Sequence, residues 1–284
     1  MRKLALCLMA YAIVSFTFIN ATADENDLSN GNARIERFVA ETYHQIDFSK
    51  CKTLSYEVFD KAYRGYLNLN NSGKLNKDRN IISICDFDLS STEKRLWIID
   101  LDQKKVLYNT YVAHGQGSGD EFATAFSNNT NTHQTSLGFY VTGDTYQGEH
   151  GTSLHLNGMD EGFNDAAYDR GIVVHGADYV SEKFINGQDH RLGRSWGCPA
   201  VPANLSLPII NTIKDGTCLF IYHTDTRYLH TSCWLNKKIG NLPEQNMYSS
   251  MATPMVPQKP RIREIQYISN GKVDSVKLVP VTTR

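Results

Sequence analysis

The chain lacks several things that would have settled its class at once. It has no cysteine pair of the CxxC or CxxH kind, which removes the usual ground for a structural zinc site built on thiolates. It has no basic run, and its formal net charge is −1, so nothing points to nucleic acid or another polyanion. Beyond the first twenty or so positions it has no apolar run of the roughly 20 residues that a membrane helix needs. It has no internal repeat. What remains is 284 residues with 41% hydrophobic content, enough for one sizeable core with extensions or for two small ones.

The N-terminus does have an apolar run. Arg2 and Lys3 precede the almost wholly apolar stretch Leu4 to Ile19, and Ala21-Thr22-Ala23 follows with a small-x-small pattern before Asp24 and Glu25. That order is the build of a secretory signal peptide cleaved after Ala23, and it predicts an exported protein, periplasmic or secreted, with no membrane-spanning segment once residues 1–23 are removed. The run is short for an uncleaved anchor. Cys7 follows Leu6 inside it, which argues against lipoprotein processing. Cleavage takes away two basic residues and no acidic ones, moving the net charge from −1 to −3.

Four regions follow from the pattern. After the signal segment, residues 24–79 open with a polar stretch and then show Ile35, Phe38, Val39, Tyr43 and Ile46, and later Leu54, Val58, Ala62 and Tyr66, at helical spacing. "NLNNSGKLNKD", Asn68 to Asp78, reads as loop by composition. Residues 80–223 are rich in strand signals. These are "IISICDF", the hairpin "RLWIIDLDQKKVLYNTYVAHG" turning near Asp102 to Lys105, "SLGFYVTG", "SLHLNG", "GIVVHGA", and "TCLFIYH" after a short helix in "LSLPIINTIKDG". A mainly β domain of sandwich or barrel type, with helices before it, is the expectation. Residues 224–284 are expected to hold a linker and then a hairpin across the Asn270-Gly271 pair.

Cysteine arithmetic singles out one thiol. Five cysteines survive signal cleavage, namely Cys51, Cys85, Cys198, Cys218 and Cys233, and an odd number leaves at least one unpaired. Cys198 sits in "GRSWGCPAVP", between Gly197 and Pro199, and is the best candidate for a free, partly ionised thiol. Any disulfides would draw on the other four. A cysteine attacks as thiolate and needs a base close in space to take its proton. His175, in "GIVVHGADYV", is delivered by the apolar run Ile172 to Val174 and followed by Gly176, so a strand end would hold the imidazole rigidly. The competing structural reading is a buried histidine that caps the strand through a backbone hydrogen bond. Trp196 and Gly197 leave room for a substrate to approach backbone amides able to bind an oxyanion. Arg191 and Arg194 suit a substrate carboxylate, a lowered thiol pKa, or an ordinary salt bridge.

At these residues the sequence resembles a known family. "VVHGADYVSEKFINGQDHRLGRSWGCPAVP" is similar to the catalytic segment of the L,D-transpeptidases, the YkuD-type peptidoglycan cross-linking family, and most of all to a divergent branch, the murein L,D-transpeptidase catalytic domain family. His175 matches the first histidine of the pattern, Ser195 its Ser/Thr, and Gly197 and Cys198 match directly. Trp196 stands where the wider family has a second histidine, Pro199 and Ala200 replace a hydrophobic-Asn pair, and the gap from His175 to Cys198 is longer than in most of the wider family. "FSN", "SLGFYVTG" and "SLHLNG" also look like that branch, so the likeness covers roughly residues 54–223.

The resemblance implies a β-rich catalytic fold, no cofactor, and peptidoglycan stem peptides as partner. It implies Cys198 as nucleophile and His175 as base, in acyl transfer to an amine, or to water in an L,D-carboxypeptidase or endopeptidase. Ser195, Trp196, Gly197, Arg194, Gly176 and Tyr140 are then the candidates for oxyanion and substrate binding. Two other classes stand beside this one. "EHGTSLH" places His150 and His155 near Glu149, and with His175 they would supply three histidines to a zinc hydrolase. A wall-binding domain that kept the fold and lost the chemistry is the other.

Overall fold

The computed structural model describes residues 31–187 and 189–243 with their side chains, and the backbone of residues 262–269 and 272–280. The expected signal segment 1–23 and nearly all of the expected linker lie outside the described residues. One compact unit runs to Leu242, and a second begins at Pro243.

The first unit opens with helix α1, covering residues 31–45, and α2 (Tyr56–Asn71). Ile35, Phe38, Val39 and Ile46 of the first stretch and Leu54, Val58, Ala62 and Tyr66 of the second are all buried, as their spacing predicts. The second helix runs four residues further than composition suggests. Asn68 is buried, and its side-chain amide donates to the carbonyls of Trp234 and Lys237 at 2.8 and 2.9 Å. A partner more than 160 positions away therefore overrides the weak helix propensity of asparagine.

Eight strands follow: β1 (Ile81–Asp86), β2 (Leu96–Asp100), β3 (Lys105–Thr110), β4 (Gly138–Gly148), β5 (Gly151–Gly158), β6 (Val173–Ala177), β7 (Ala200–Pro202) and β8 (Cys218–Tyr222). They form one sheet in the order β3-β2-β1-β8-β4-β5-β6-β7. The β1–β8 and β6–β7 pairs are parallel, and the remaining pairs are antiparallel. β1 and β8 are buried almost throughout, which explains why they read as continuous apolar runs instead of alternating ones. The sheet nearly closes on itself. Just past β3, Ala113 bridges Ala200 of β7 through N–H to carbonyl bonds of 2.8 and 3.4 Å in the two directions, and Gly115 bridges Ser195. The architecture is a mainly β, almost closed barrel.

Three short helices and a longer one complete the unit: α3 (Glu182–Ile185), α4 (Ala203–Ile213), α5 (Thr226–Thr231) and α6 (Cys233–Asn236). α5 and α6 lie past the boundary expected at residue 223, yet they are joined to the barrel through Asp160. This buried carboxylate accepts from the Phe139 N–H at 2.7 Å, from the Tyr228 hydroxyl at 3.1 Å and from Ser232 Oγ. The second unit is an antiparallel pair, β9 (Ile262–Ser269) and β10 (Lys272–Pro280), with Lys272 opposite Ser269. The pairing flanks Asn270 and Gly271, where the sequence expects a hairpin turn, and those two residues lie outside the described residues. No helix among the described residues is long and apolar enough to cross a membrane.

Candidate active site

Strand β6 is buried along its whole length and carries His175 at its centre, 3% exposed. In the parallel β6–β7 ladder His175 lies opposite Ala200, so Cys198 enters the sheet two residues before that point. The thiol meets the backbone of β6 there. The Val173 N–H donates to Cys198 Sγ at 3.5 Å, and the S–H points at the Gly171 carbonyl at 3.7 Å. The thiol thus lies two strand positions, roughly 7 Å of rise, before the imidazole. No hydrogen bond joins the two groups in this resting geometry. Such bonds often tighten only when substrate binds.

The imidazole has a defined tautomer. Its Nδ1 lies 3.0 Å from the Gly176 carbonyl, which can only accept, so Nδ1 carries the proton and Nε2 has the free lone pair. Burial, partly offset by that hydrogen bond and reinforced by nearby His150, holds the His175 pKa below the ordinary imidazole range. It is therefore a neutral base at neutral pH. Burial also pushes the Cys198 thiol up, against the pull of the Val173 N–H and the Arg170 guanidinium. The thiol is protonated at rest and not partly ionised as the sequence suggested, because removal from water outweighs those two favourable partners. All five cysteines in the described residues are free.

The turn before the nucleophile is tied from within. Ser195 Oγ donates to the Cys198 carbonyl at 2.6 Å and accepts from the Gly197 N–H at 3.1 Å. Thr135 Oγ1 donates to the Gly197 carbonyl at 3.1 Å and accepts from the Gly115 N–H at 3.0 Å. Gly197 has φ +123, and a Cβ there would stand 2.9 Å from the Gln134 carbonyl, so only glycine fits. Its amide is already taken by Ser195, which leaves it no free donor for an oxyanion. Gly176 is also required by closeness, since a Cβ would lie 2.7 Å from Ser206 Oγ on α4.

The remaining expected residues divide. Trp196 is 72% exposed beside the nucleophile and stacks on His133, centroids 5.0 Å apart and planes at 5°. Arg194 does not face the thiol. Its Nη1 donates to Asp120 at 2.7 Å and to the Gly119 carbonyl at 2.9 Å, fastening the 116–120 loop. Arg191 binds the Leu192 carbonyl at 2.8 Å and pairs with Asp189 at 3.2 Å. Arg170 is a cation whose charge pulls the Cys198 pKa down, while Arg191 and Arg194 form the ordinary salt bridges that the sequence reading also allowed. Tyr140 is fully buried, with its hydroxyl donating to the Ser136 carbonyl at 2.8 Å. It offers substrate no surface.

Sequence reasoning missed several contributors. Arg170 donates to the carbonyls of Gln134 and Ser127, both at 2.8 Å, and so braces the loop that packs on Gly197. Behind Gly119, the buried His114 accepts from Arg95 at Nδ1 (2.7 Å) and donates from Nε2 to the Gly119 carbonyl at 3.3 Å. Burial and the Arg95 charge hold His114 down to about 3. Tyr179 is pushed up to about 12, by burial and then by Cys198. It lines a cleft of about 1040 Å³ past the end of β6, with Ala177, Val180, Phe184 and Ala203. Arg170 and His114 show no periodic or motif signal, and Tyr179 lies within the quoted segment after His175 without being singled out there.

The three histidines of the zinc reading do not converge. His155 faces Asp144 at 3.1 Å and stacks on Tyr146, while His150 stacks on the face of His175. No group of three His, Cys, Asp or Glu among the described residues is disposed to hold a metal ion.

A cysteine held against the strand that carries a buried, tautomer-fixed histidine is an arrangement suited to cysteine acyl-transfer chemistry. Residues 50–222 match the family model of the L,D-transpeptidase catalytic domain, YkuD_2, and the chain belongs to that family. Solved structures similar in fold include an L,D-transpeptidase from Mycobacterium smegmatis, at 12% identity and TM-score 0.31, over 51% of this chain and 59% of that one. The helical cell shape determining protein Pgp2 (K307A mutant) from Campylobacter jejuni matches at 16% identity and TM-score 0.36, over 57% of each chain. An L,D-transpeptidase fragment from Xylanimonas cellulosilytica matches at 12% and 0.30, over 66% of this chain and 93% of that one. The chain thus spans less than two thirds of the first two. No curated protein matches it.

Proposed function

We propose that the protein is an exported peptidoglycan L,D-transpeptidase that works by cysteine acyl transfer on stem peptides. The observation that carries this reading is the placement of Cys198 against β6 two positions before His175, within a chain of the L,D-transpeptidase family. Cys198 Sγ attacks the carbonyl of the scissile amide while its proton passes to His175 Nε2. The oxyanion forms beside the Cys198 amide, since the Gly197 amide is engaged. Collapse expels the terminal amino acid as an amine that takes the proton from His175, leaving a thioester. An amine of a second stem then attacks the thioester, its proton goes to His175, and the departing thiolate recovers that proton. Water in place of the amine gives trimming from the same site. The stem lies in the cleft past β6, against Tyr179 and Phe184, with Trp196 as the open wall on the other side of the nucleophile.

The test is incubation with purified disaccharide tetrapeptides and mass analysis of the products. The reading expects a dimer mass, or a tetrapeptide shortened by one residue, lost on thiol alkylation and insensitive to chelation. Unchanged substrate would leave the wall-binding reading in its place, and loss on chelation would restore a metal mechanism.

A further inference from the structure

β4 and β5 project beyond the barrel as an antiparallel ribbon, with a register shift between Thr142 and Thr145 and an exposed outer end from Asp144 to His150. Such a bulge bends a strand and re-aims what it carries. At the tip, between Gly148 and Gly151, His150 lays its ring on His175, with centroids 4.4 Å apart and planes at 21°. His175 lies 25 positions later on β6, and its 3% exposure is achieved with the tip in place. The family's second motif histidine is replaced here by Trp196, which stacks elsewhere, on His133. A second imidazole therefore does reach this site, from a different element.

We propose that His150 is a positioning residue for the candidate base: its ring closes over one face of His175, keeps water from it and fixes its plane. The proposal rests on the reading of His175 as the base. Flat aromatic contacts of this kind fix relative orientation as well as burying area. With Nδ1 tied to Gly176 and one face covered, the imidazole keeps its Nε2 edge for proton transfer. The groups acting on His175 are few. The Gly176 carbonyl faces Nδ1, His150 is the one titratable group among the described residues with a charge effect on it, and burial is the largest influence. α4 approaches through the uncharged Ala203 and Ser206 at Gly176.

The test follows the carbon-bound imidazole proton of His175 by NMR as a function of pH, in wild type, His150→Ala and His150→Phe, with assignment by its loss in His175→Ala. Substrate is not needed, so inactivity toward muropeptides would bear on the proposed function and leave this measurement intact. The expected result is a midpoint raised by about half a pH unit or more in His150→Ala, which hydrates the ring and removes the neighbouring charge, and a clearly smaller rise in His150→Phe, which loses the charge and keeps a flat ring there. Equal midpoints in all three proteins, or equal upward shifts in both variants, would overturn the proposal, because the first denies any shielding and the second denies that the covering ring supplies it.

Discussion

Ser195→Ala tests how the turn before the nucleophile is built. Ser195 is 5% exposed, and its hydroxyl bridges the Gly197 N–H and the Cys198 carbonyl. Alanine removes both bonds and fills nothing. The Gly197 amide, buried in a conformation fixed by φ +123, loses its partner. Leaving one buried donor unsatisfied costs about 1–3 kcal/mol. For a unit of this size each kcal/mol moves the melting temperature by about 2–4 °C, so Ser195→Ala is expected to melt about 2–12 °C lower by calorimetry. Ser195→Thr keeps the oxygen, as the family pattern allows, and is expected to recover most of that loss. Turnover responds separately, because a nucleophile displaced by an ångström or so loses about 100-fold. A variant that melts and turns over like wild type would refute the claim that Ser195 holds the turn.

Asp160→Ala strands the Phe139 N–H, the Tyr228 hydroxyl and Ser232 Oγ around one cavity, and is expected to destabilise by about 3–5 kcal/mol, read as a shifted urea midpoint. His114 is held down to about 3 in the fold against about 6.5 when unfolded. Between those values the unfolded chain binds the extra proton, so stability is expected to fall as pH drops from 6.5 toward 3. His114→Gln, which cannot titrate, should flatten that limb in denaturant titrations, and an unchanged limb would clear His114 of the effect. The raised Cys198 pKa predicts that iodoacetamide labelling of the Cys198 peptide is slow at pH 7 and accelerates only above the range where an ordinary thiol ionises. Fast labelling at pH 7 would show a preformed thiolate.

Local pattern carried most of the barrel. Ile82, Ile84, Leu219 and Ile221 were legible as strand residues because runs buried on both faces are apolar whatever their register, and α1 and α2 showed their buried stripe directly. That same burial of both faces misled the reading of Tyr140, whose position in a strand says nothing about which surface is open. α5, α6 and the last turn of α2 were illegible for a different reason. They are held by Asp160 and by the Asn68 amide, polar contacts spanning about 70 to 170 positions that leave no periodicity. At the site, Cys198 and His175 were named by their motif. Arg170 and Thr135 became visible only once loops far apart in sequence were folded against Gly197 and β6, and His150, grouped with His175 from the sequence as a metal ligand, is stacked on it instead.

The central claim is that Cys198 and His175 act as one catalytic unit. It is tested most directly by the turnover of purified disaccharide tetrapeptides by wild type, Cys198→Ala and His175→Ala, with each fold checked by its melting curve. The account predicts that either substitution alone removes nearly all turnover and that the double variant is no worse, while all three melt as folded proteins. Wild-type turnover in Cys198→Ala would contradict it.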